Sequence, residues 1–301
     1  MLVDVAIVGG GPAGLSAALV LGRARKSVVL FDAGPPRNAA AERVHGFVTR
    51  DGTPPSEFRR IGREQLRPYS VDVRDARVEE ITREGASFQV RAGSGEVLAR
   101  RVLLATGMVD EIPDLPGCRE LWGKSVFQCP YCHGWEVRDR RFGAVVQGPE
   151  WLEFAIFLKG WTGDVTAFTN AAFPVPAEMQ DRLRGAGVRL EERRITGLRD
   201  KGGTLAAVEL DGGPEIACEA LFLKPRQRQT RLVEGLGLAL DDKGFVRVDE
   251  HRRTSVPGIY AAGDLTTMMQ AALPGAAAGA HAAYSMNHEL TMELVASGSI
   301  R

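Results

Sequence analysis

The chain has 301 residues, of which 44% are hydrophobic and 25% charged, and its 38 basic residues balance 38 acidic ones. This length is typical of about two domains. Without a basic excess, the composition argues against nucleic acid or an anionic membrane surface as a partner.

The start of the chain, "MLVDVAIVGGG", lacks the basic, apolar character of a signal peptide. The longest run of small apolar residues, near the C-terminal end, is interrupted by Pro274, so we expect no membrane span. Four cysteines, two of them isolated at positions 118 and 218, do not make a secreted disulfide framework. We therefore expect a cytoplasmic protein in which Cys118 and Cys218 are ordinary buried thiols.

The first predicted elements form a βαβ unit. Residues 3–8, "VDVAIV", are predicted to be a buried parallel strand, and residues 27–32, "SVVLFD", a second one. Between them, an alanine- and leucine-rich helix is predicted over 15–25. Gly9, Gly11 and Gly14 form a G-x-G-x-x-G pattern at the junction of the first strand and the helix.

Each of these glycines has a physical reason in a dinucleotide site. Gly9 permits the tight turn, Gly11 lets the backbone approach a pyrophosphate, and Gly14 lets the helix pack closely on the strand. The pyrophosphate then lies on free N–H groups at a helix N-terminus. Asp32, at the end of the second strand, can hold a ribose hydroxyl. The alternative is a tight turn without a ligand, but the context favours dinucleotide binding.

Later segments repeat this construction. Residues 100–107 and 258–264 are predicted strands that end in glycine turns, and residues 143–169 contain a further strand, helix and strand. We predict an α/β fold with two Rossmann-like, three-layer nucleotide-binding domains. The first domain is discontinuous, over 1–113 and 244–301, and the second is inserted at 114–243.

Three segments together resemble the FAD domain of the thioredoxin reductase superfamily: "GGGPAGLSAAL", "ATG" and "GIYAAGD". The resemblance spans nearly the whole chain and implies FAD as the cofactor. It implies that the late Gly-Asp pair holds the ribityl and pyrophosphate part of FAD, and that the Gln-Ala pair after it lies near the isoalloxazine. Besides Gly9, Gly11, Gly14 and Asp32, the predicted cofactor residues are Pro12, Ala13, Arg37, Asn38, His45, Ala105, Thr106, Gly107, Gly263, Asp264, Gln270 and Ala271.

The second domain departs from this family at its own glycine turn, which should bind NADPH. Gln147 and Pro149 replace the first two glycines, and Leu152 replaces the small residue that allows close helix packing. Proline removes an N–H, and side chains block the approach of a phosphate. The stretch "FTNAAFPVPA" also lacks the arginines that meet the NADP 2′-phosphate in the family. We therefore expect no ordinary NADPH use. A helix over 151–161 places four apolar residues at helical spacing, as core, dimer interface or substrate wall.

Cys129 and Cys132 form a C-x-x-C pair with His133 directly behind them. A zinc site needs four ligands, and the other cysteines are isolated, so no metal is expected. A redox dithiol fits better, because this spacing closes a small disulfide and keeps one thiol exposed. His133 replaces the acid found in thioredoxin reductases. It is predicted to be an acid/base that accepts a thiol proton, unless it only caps a helix or bonds to backbone.

The motif "CPYCHG" next to the altered NADPH turn resembles a narrower branch, the flavin-dependent dithiol oxidases of gliotoxin- and holomycin-type natural products. This resemblance implies a homodimer that needs no nicotinamide and passes electrons to O2, giving H2O2. It also implies that Cys129 exchanges with the dithiol substrate, a small molecule or a protein, and that Cys132 is the flavin-proximal thiol.

Two other readings of the sequence remain open. One is a disulfide reductase that uses NAD(P)H atypically or another donor such as ferredoxin. The other is a non-catalytic, FAD-bound redox sensor. Arg37 and Asn38 are candidates to approach the flavin or the dithiol, and His45 is a candidate second imidazole of the active site, although each is expected to be structural rather than catalytic. His281 is expected to be a packing residue, with a place in the lining of the site as the alternative.

Overall fold

The computed structural model describes residues 2–93 and 95–298. It divides the chain into two compact units. Unit 1 lies within Met1–Ala39, Gly46–Val109 and Gln227–Arg301, and unit 2 comprises Ala40–His45 and Asp110–Arg226. No helix among the described residues is long and apolar enough to cross a membrane.

The elements are numbered in chain order. The strands are β1 Leu2–Val8, β2 Val28–Phe31, β3 Val71–Arg74, β4 Val78–Glu84, β5 Ser87–Ala92, β6 Gly95–Leu104, β7 Val109–Glu111, β8 Val126–Phe127, β9 Phe142–Val145, β10 Val165–Phe168, β11 Val188–Glu191, β12 Ile195–Lys201, β13 Thr204–Leu210, β14 Ile216–Ala217, β15 Ala220–Leu223, β16 Arg226–Arg228 and β17 Ile259–Ala261. The α-helices are α1 Pro12–Arg23, α2 Pro55–Leu66, α3 Cys118–Leu121, α4 Pro130–His133, α5 Leu152–Phe157, α6 Ala177–Gly185, α7 Arg231–Gly235 and α8 Ala272–Ala296. Three short 3-10 helices cover Pro149–Trp151, Leu158–Gly160 and Asp264–Thr266.

Unit 1 is built on one mixed sheet of order β3-β2-β1-β6-β5-β4, with β17 also on β6. Strands β1, β2, β3 and β17 run parallel to their neighbours, whereas β4, β5 and β6 form an antiparallel meander. The parallel strands β1 and β2 are almost wholly buried and rich in valine, as expected for strands covered on both faces. The carboxyl ends of β1, β6 and β17 therefore meet at one edge of this sheet.

Small residues let α1 and α8 pack closely in unit 1. Pro12 opens α1, where its missing N–H costs nothing, and Ala17 and Ala18 are completely buried. A β-carbon on Gly279 of α8 would lie 2.0 Å from the carbonyl oxygen of Ala13. A larger residue at position 279 would therefore push the two helices apart.

Unit 2 contains a five-stranded parallel sheet of order β11-β10-β9-β15-β8. An antiparallel three-stranded sheet, β12-β13-β14, packs within the same unit. The parallel sheet confirms the predicted α/β fold class for this part of the chain. Cys118 and Cys218 are both buried in the core of unit 2, as predicted.

Two expectations differ from the structure. The helix predicted over 151–161 is broken into a 3-10 turn, the short helix α5 and a second 3-10 turn. Gly160 lies in the second 3-10 turn, and glycine disfavours a continuous α-helix. Pro149 precedes the predicted helix and opens the first 3-10 turn. The predicted domain limits were 113/114 and 243/244, whereas the chain passes between the units at 109/110 and 226/227. Residues 227–243 stay with unit 1 because α7 packs on β4 and Gln229 donates to the carbonyl oxygens of Gly244 and Leu265.

Candidate functional site

The glycine turn after β1 has no room for side chains at two of its positions. A β-carbon on Gly9 would lie 2.1 Å from the carbonyl oxygen of Ala105, and the φ of Gly9 is +118°. A β-carbon on Gly14 would lie 1.8 Å from the carbonyl oxygen of Gly9. Contacts within the protein itself therefore exclude any larger residue at Gly9 and Gly14.

The middle glycine differs, because no protein atom lies within 4 Å of a β-carbon built on Gly11. Gly11 is the N-cap of α1, so the open space lies in front of free N–H groups. Nearby, the buried hydroxyl oxygen of Thr106 has no hydrogen-bond partner among the described residues. An open backbone face next to an unpartnered polar group fits the pyrophosphate of the predicted dinucleotide.

Asp32 is buried at the end of β2, as expected for the ribose-binding acid, but it already has partners. Arg59 of α2 donates to its carboxylate, and the amide of Gly34 donates to its other oxygen at 3.2 Å. A second arginine, Arg63, lies 3.5 Å from the same carboxylate. The sequence analysis missed these arginines, although the basic sequence "RRIGR" in α2 was a visible signal.

Several predicted cofactor residues meet at the N-terminal end of α8 in unit 1. One guanidinium nitrogen of Arg37 donates to Asp264 at 2.9 Å and to Gln270 at 2.7 Å. Gln270 also exchanges amide hydrogen bonds with Gln227, at 3.0 and 2.9 Å. Of the other predicted residues, Ala13 and Ala105 are buried, whereas Asn38 and Ala271 are exposed. The remaining ones, Pro12, Gly107 and Gly263, lie in the glycine turns.

The second glycine turn, in unit 2, is filled by its own side chains. A β-carbon on Gly148 would lie 2.6 Å from both carboxylate oxygens of Glu150, so this carboxylate covers the only glycine of the turn. Gln147 donates to the carbonyl oxygen of Lys224 at 2.7 Å, and the Lys224 ammonium lies 4.8 Å from the ring centre of Trp151. Pro149 opens the 3-10 turn without an N–H. A phosphate would meet a carboxylate here instead of free amides.

Cys129 and Cys132 are free thiols in unit 2, with their sulfurs 3.0 Å apart. The hydrogen bond from the Cys132 thiol is the main cause that lowers the pKa of Cys129 to about 7. Backbone N–H groups of Cys132 and Tyr131 lower it further, and partial burial opposes them. Cys129 is thus the thiol of the pair that ionises readily near neutral pH.

His133 lies at the end of α4 with its ring stacked on Phe127, at 4.5 Å between ring centres and 15° between planes. Both ring nitrogens are buried and have no hydrogen-bond partner of good geometry among the described residues. Burial lowers the pKa of His133, the negative charge of Glu136 raises it, His45 lowers it, and a backbone interaction with Cys129 raises it. Because the net shift is downward, the imidazole is neutral near pH 7, which is the form that can accept a proton.

His45 lies in unit 2, on the short segment Ala40–His45, whereas the other predicted cofactor residues belong to unit 1. Its Nε2 is 3.4 Å from a carboxylate oxygen of Glu136. Both His45 and Glu136 interact electrostatically with His133, which directly follows the dithiol in sequence. The sequence analysis missed Glu136, although its spacing of three residues after His133 was a signal for a shared surface. Among the described residues, no cluster of three or more His, Cys, Asp or Glu could hold a metal ion.

Comparison with known proteins identifies the family. The family model described as pyridine nucleotide-disulphide oxidoreductase matches residues 3–285. The protein named thioredoxin reductase tcpT of Claviceps purpurea is 32% identical over 302 residues, which cover 95% of this chain and 93% of that protein. HlmI and a putative thioredoxin reductase are among the crystal structures that are 36% identical to this chain. HlmI has a TM-score of 0.93 and covers 98% of this chain and 95% of its own. The putative thioredoxin reductase TrxB of Bacillus anthracis has a TM-score of 0.90, with coverages of 97% and 99%.

These matches agree with the two α/β units, the glycine turn after β1 and the C-x-x-C pair. Members of thioredoxin reductase type bind FAD, and the open face at Gly11 fits that cofactor. The chain therefore belongs to the pyridine nucleotide-disulphide oxidoreductase family, as a thioredoxin reductase-like FAD enzyme.

Proposed function

We propose that the protein is a dithiol oxidase of the gliotoxin and holomycin type. It closes a disulfide in a dithiol substrate and passes the two electrons to O2. The overall reaction balances as one dithiol plus O2 giving one cyclic disulfide plus H2O2. The observation that carries this proposal is the filled turn at Gly148, where the Glu150 carboxylate stands in the place of a nucleotide phosphate. Without a nucleotide at this turn, the protein would take its electrons from the dithiol and not from a nicotinamide. It would also be a homodimer.

The residues of unit 2 supply the thiol chemistry. In the oxidised enzyme, a substrate thiolate attacks the Cys129 sulfur of the Cys129–Cys132 disulfide, and Cys132 leaves as a thiolate. The second substrate thiol then attacks the substrate sulfur of this mixed disulfide. The cyclic disulfide is released, and Cys129 leaves as a thiolate. Its low pKa makes it a good leaving group.

His133 holds the proton in this scheme. Its neutral ring, whose nitrogens have no hydrogen-bond partner of good geometry among the described residues, accepts a proton from the incoming thiol and returns it to a cysteine thiolate. FAD, when bound at the glycine turn of unit 1, supplies the two-electron redox chemistry that links the dithiol to O2. Residues of that turn, with Arg37, Asp264 and Gln270, would hold it.

The proposal is tested by oxygen uptake and peroxide formation with dithiothreitol as substrate. We expect one H2O2 per disulfide formed, and no turnover in Cys129→Ser. The variant His133→Ala should lower the rate by about a hundredfold at unchanged FAD content, because general-base groups contribute on that order. His251→Ala, at an exposed histidine of unit 1, is the matched control. Full turnover in Cys129→Ser would contradict the scheme.

The second candidate is a thioredoxin reductase-like disulfide reductase. The name of the relative tcpT and the family description favour it. It requires a donor that reduces the flavin, either a nicotinamide bound in an unusual way or a redox protein such as ferredoxin.

A further inference from the structure

Three aromatic rings of unit 2 form a cluster that the thiol chemistry does not use. The ring of Tyr131 lies edge-on to Trp161, with centroids 5.5 Å apart and planes at 87°. Phe157 completes the triangle, at 5.7 Å from Tyr131 and 5.2 Å from Trp161. Such edge-to-face pairs hold the rings in a defined arrangement.

Two of the three rings in this cluster are exposed to solvent, which is unusual for neighbouring aromatic side chains. Tyr131 is 71% exposed and Phe157 is 44% exposed. Contiguous apolar surface of this kind marks a binding site more often than it marks simple packing. Trp161 is partly buried and packs against the core of unit 2, whereas the rings of Tyr131 and Phe157 stay accessible to a ligand.

The cluster is continuous with the redox dithiol. Tyr131 stands between the two cysteines, and its backbone N–H is one of the groups that interact with the Cys129 sulfur. Trp161 packs on the turn after Cys132, where a β-carbon on Gly134 would lie 2.8 Å from the indole ring. The rings of Tyr131 and Trp161 thus belong to or pack on the short segment 129–134 that carries the dithiol.

We infer that Tyr131, Phe157 and Trp161 form a platform that binds the ring-bearing, uncharged body of the dithiol substrate while its sulfurs reach Cys129. This inference rests on the proposed function, since it assumes that substrate exchanges with Cys129. A flat, apolar ring stacks on such a platform. Lys159, between Phe157 and Trp161 in sequence, has its ammonium held by the carbonyl oxygens of Gly163 and Gly187, at 2.6 and 3.4 Å. The three rings themselves carry no charge, so they favour an uncharged body over anionic thiols such as glutathione.

Two small dithiols of equal thiol spacing test the inference: 1,2-benzenedimethanethiol, which carries a benzene ring, and dithiothreitol, which carries two hydroxyls in its place. The measured quantity is the half-saturating concentration of each dithiol for anaerobic flavin reduction by the full-length holoenzyme. We expect Tyr131→Ala to raise this concentration about tenfold for the ring dithiol and by less than about twofold for dithiothreitol. Phe157→Ala, outside the C-x-x-C motif, should act in the same direction.

The matched control is Tyr284→Ala, because Tyr284 is a comparably exposed tyrosine, at 62%, on α8 of unit 1. It should change neither value. Equal effects of Tyr131→Ala and Phe157→Ala on both dithiols would overturn the platform and leave the oxidase intact. Faster reduction of wild type by a reduced thioredoxin-like protein than by either small dithiol would also overturn it, in favour of a protein-docking face. Failure of both dithiols to reduce the wild-type flavin would instead reject the proposed function.

Discussion

The thiol of Cys132 donates a hydrogen bond to the sulfur of Cys129 across 3.0 Å. This bond is the main reason why the pKa of Cys129 falls to about 7, well below that of an ordinary thiol. The pair is therefore asymmetric, with one sulfur stabilised as the thiolate and the other acting as the donor. The scheme uses this asymmetry, because the stabilised sulfur is the one that leaves when the substrate disulfide closes.

The first prediction concerns the pH dependence of Cys129 alkylation. In the reduced protein, the rate of reaction with iodoacetamide should rise with pH, reach half its maximum near pH 7 and be constant above about pH 8.5. In Cys132→Ala, the midpoint should move up toward the ordinary thiol value, because the stabilising donor is lost. Cys118 and Cys218 should stay unmodified, since both are buried and burial raises the pKa of each. A midpoint that does not move in Cys132→Ala would contradict this account.

The second prediction concerns Glu136 and His45, two neighbours of His133 that shift its pKa in opposite directions. Glu136→Gln removes a charge that raises the pKa, so protonation of His133 should move to lower pH. His45→Gln removes a group that lowers it, so protonation should move to higher pH. The ring C–H resonances of His133, identified by their loss in His133→Ala, report both shifts. Shifts of the same sign in the two variants would show that these residues act on the fold and not on the charge of the imidazole.

The third prediction concerns Gly9 and Gly11, which lie in the same turn and should have different roles. Gly9→Ala should lower the free energy of unfolding of the apoprotein by about 3 kcal/mol or more, because its β-carbon collides with the Ala105 carbonyl and its φ is positive. Gly11→Ala meets no protein atom within 4 Å, so the apoprotein should keep its stability to within about 1 kcal/mol. It should nevertheless weaken FAD binding at least about tenfold. Thermal unfolding and flavin titration measure the two effects. Undiminished FAD affinity in Gly11→Ala would place the cofactor elsewhere.

The fourth prediction concerns the filled turn of unit 2. Pro149→Gly and Glu150→Gln should leave kcat/KM for dithiothreitol within about twofold of wild type, because the proposed reaction uses no nucleotide at this turn. Glu150→Gln removes the carboxylate that lies against Gly148 without changing its size. Steady-state oxygen uptake measures the effect. A loss of about tenfold or more in both variants would mean that the turn takes part in the reaction.

Local patterns predicted the first strand, glycine turn and helix of unit 1 well. The sequence of β1, the glycines and α1 is determined by neighbours along the chain, and the structure places this strand, turn and helix as expected. The departure of residues 147–149 from the family's glycine pattern was equally visible, because it lies in the residue types themselves. The structure adds the position of the Glu150 carboxylate against Gly148. A sequence pattern does not determine the rotamer of this side chain, so this contact could not be predicted.

Contacts between distant segments could not be predicted in this way. The segment Ala40–His45 belongs to unit 2, although the residues before and after it in sequence belong to unit 1. The contact of its His45 with Glu136 joins residues about ninety positions apart in the chain. The prediction of one helix over 151–161 was wrong for a different reason. The apolar spacing is helical, but 3-10 turns lie on both sides of α5, and Gly160 disfavours an α-helix in the second of them. The cluster of Tyr131 with Phe157 and Trp161 likewise joins two segments that no local pattern connects.

The most direct test of the central claim is the anaerobic absorbance spectrum of the purified flavoprotein, with NADPH, NADH and dithiothreitol added to separate samples. The proposed oxidase predicts that only the dithiol bleaches the flavin within seconds, and that colour and H2O2 both appear when air is admitted. Rapid bleaching by micromolar NADPH would contradict the account, because it would show that the turn around Gly148 accepts a nucleotide despite Gln147, Pro149 and Glu150.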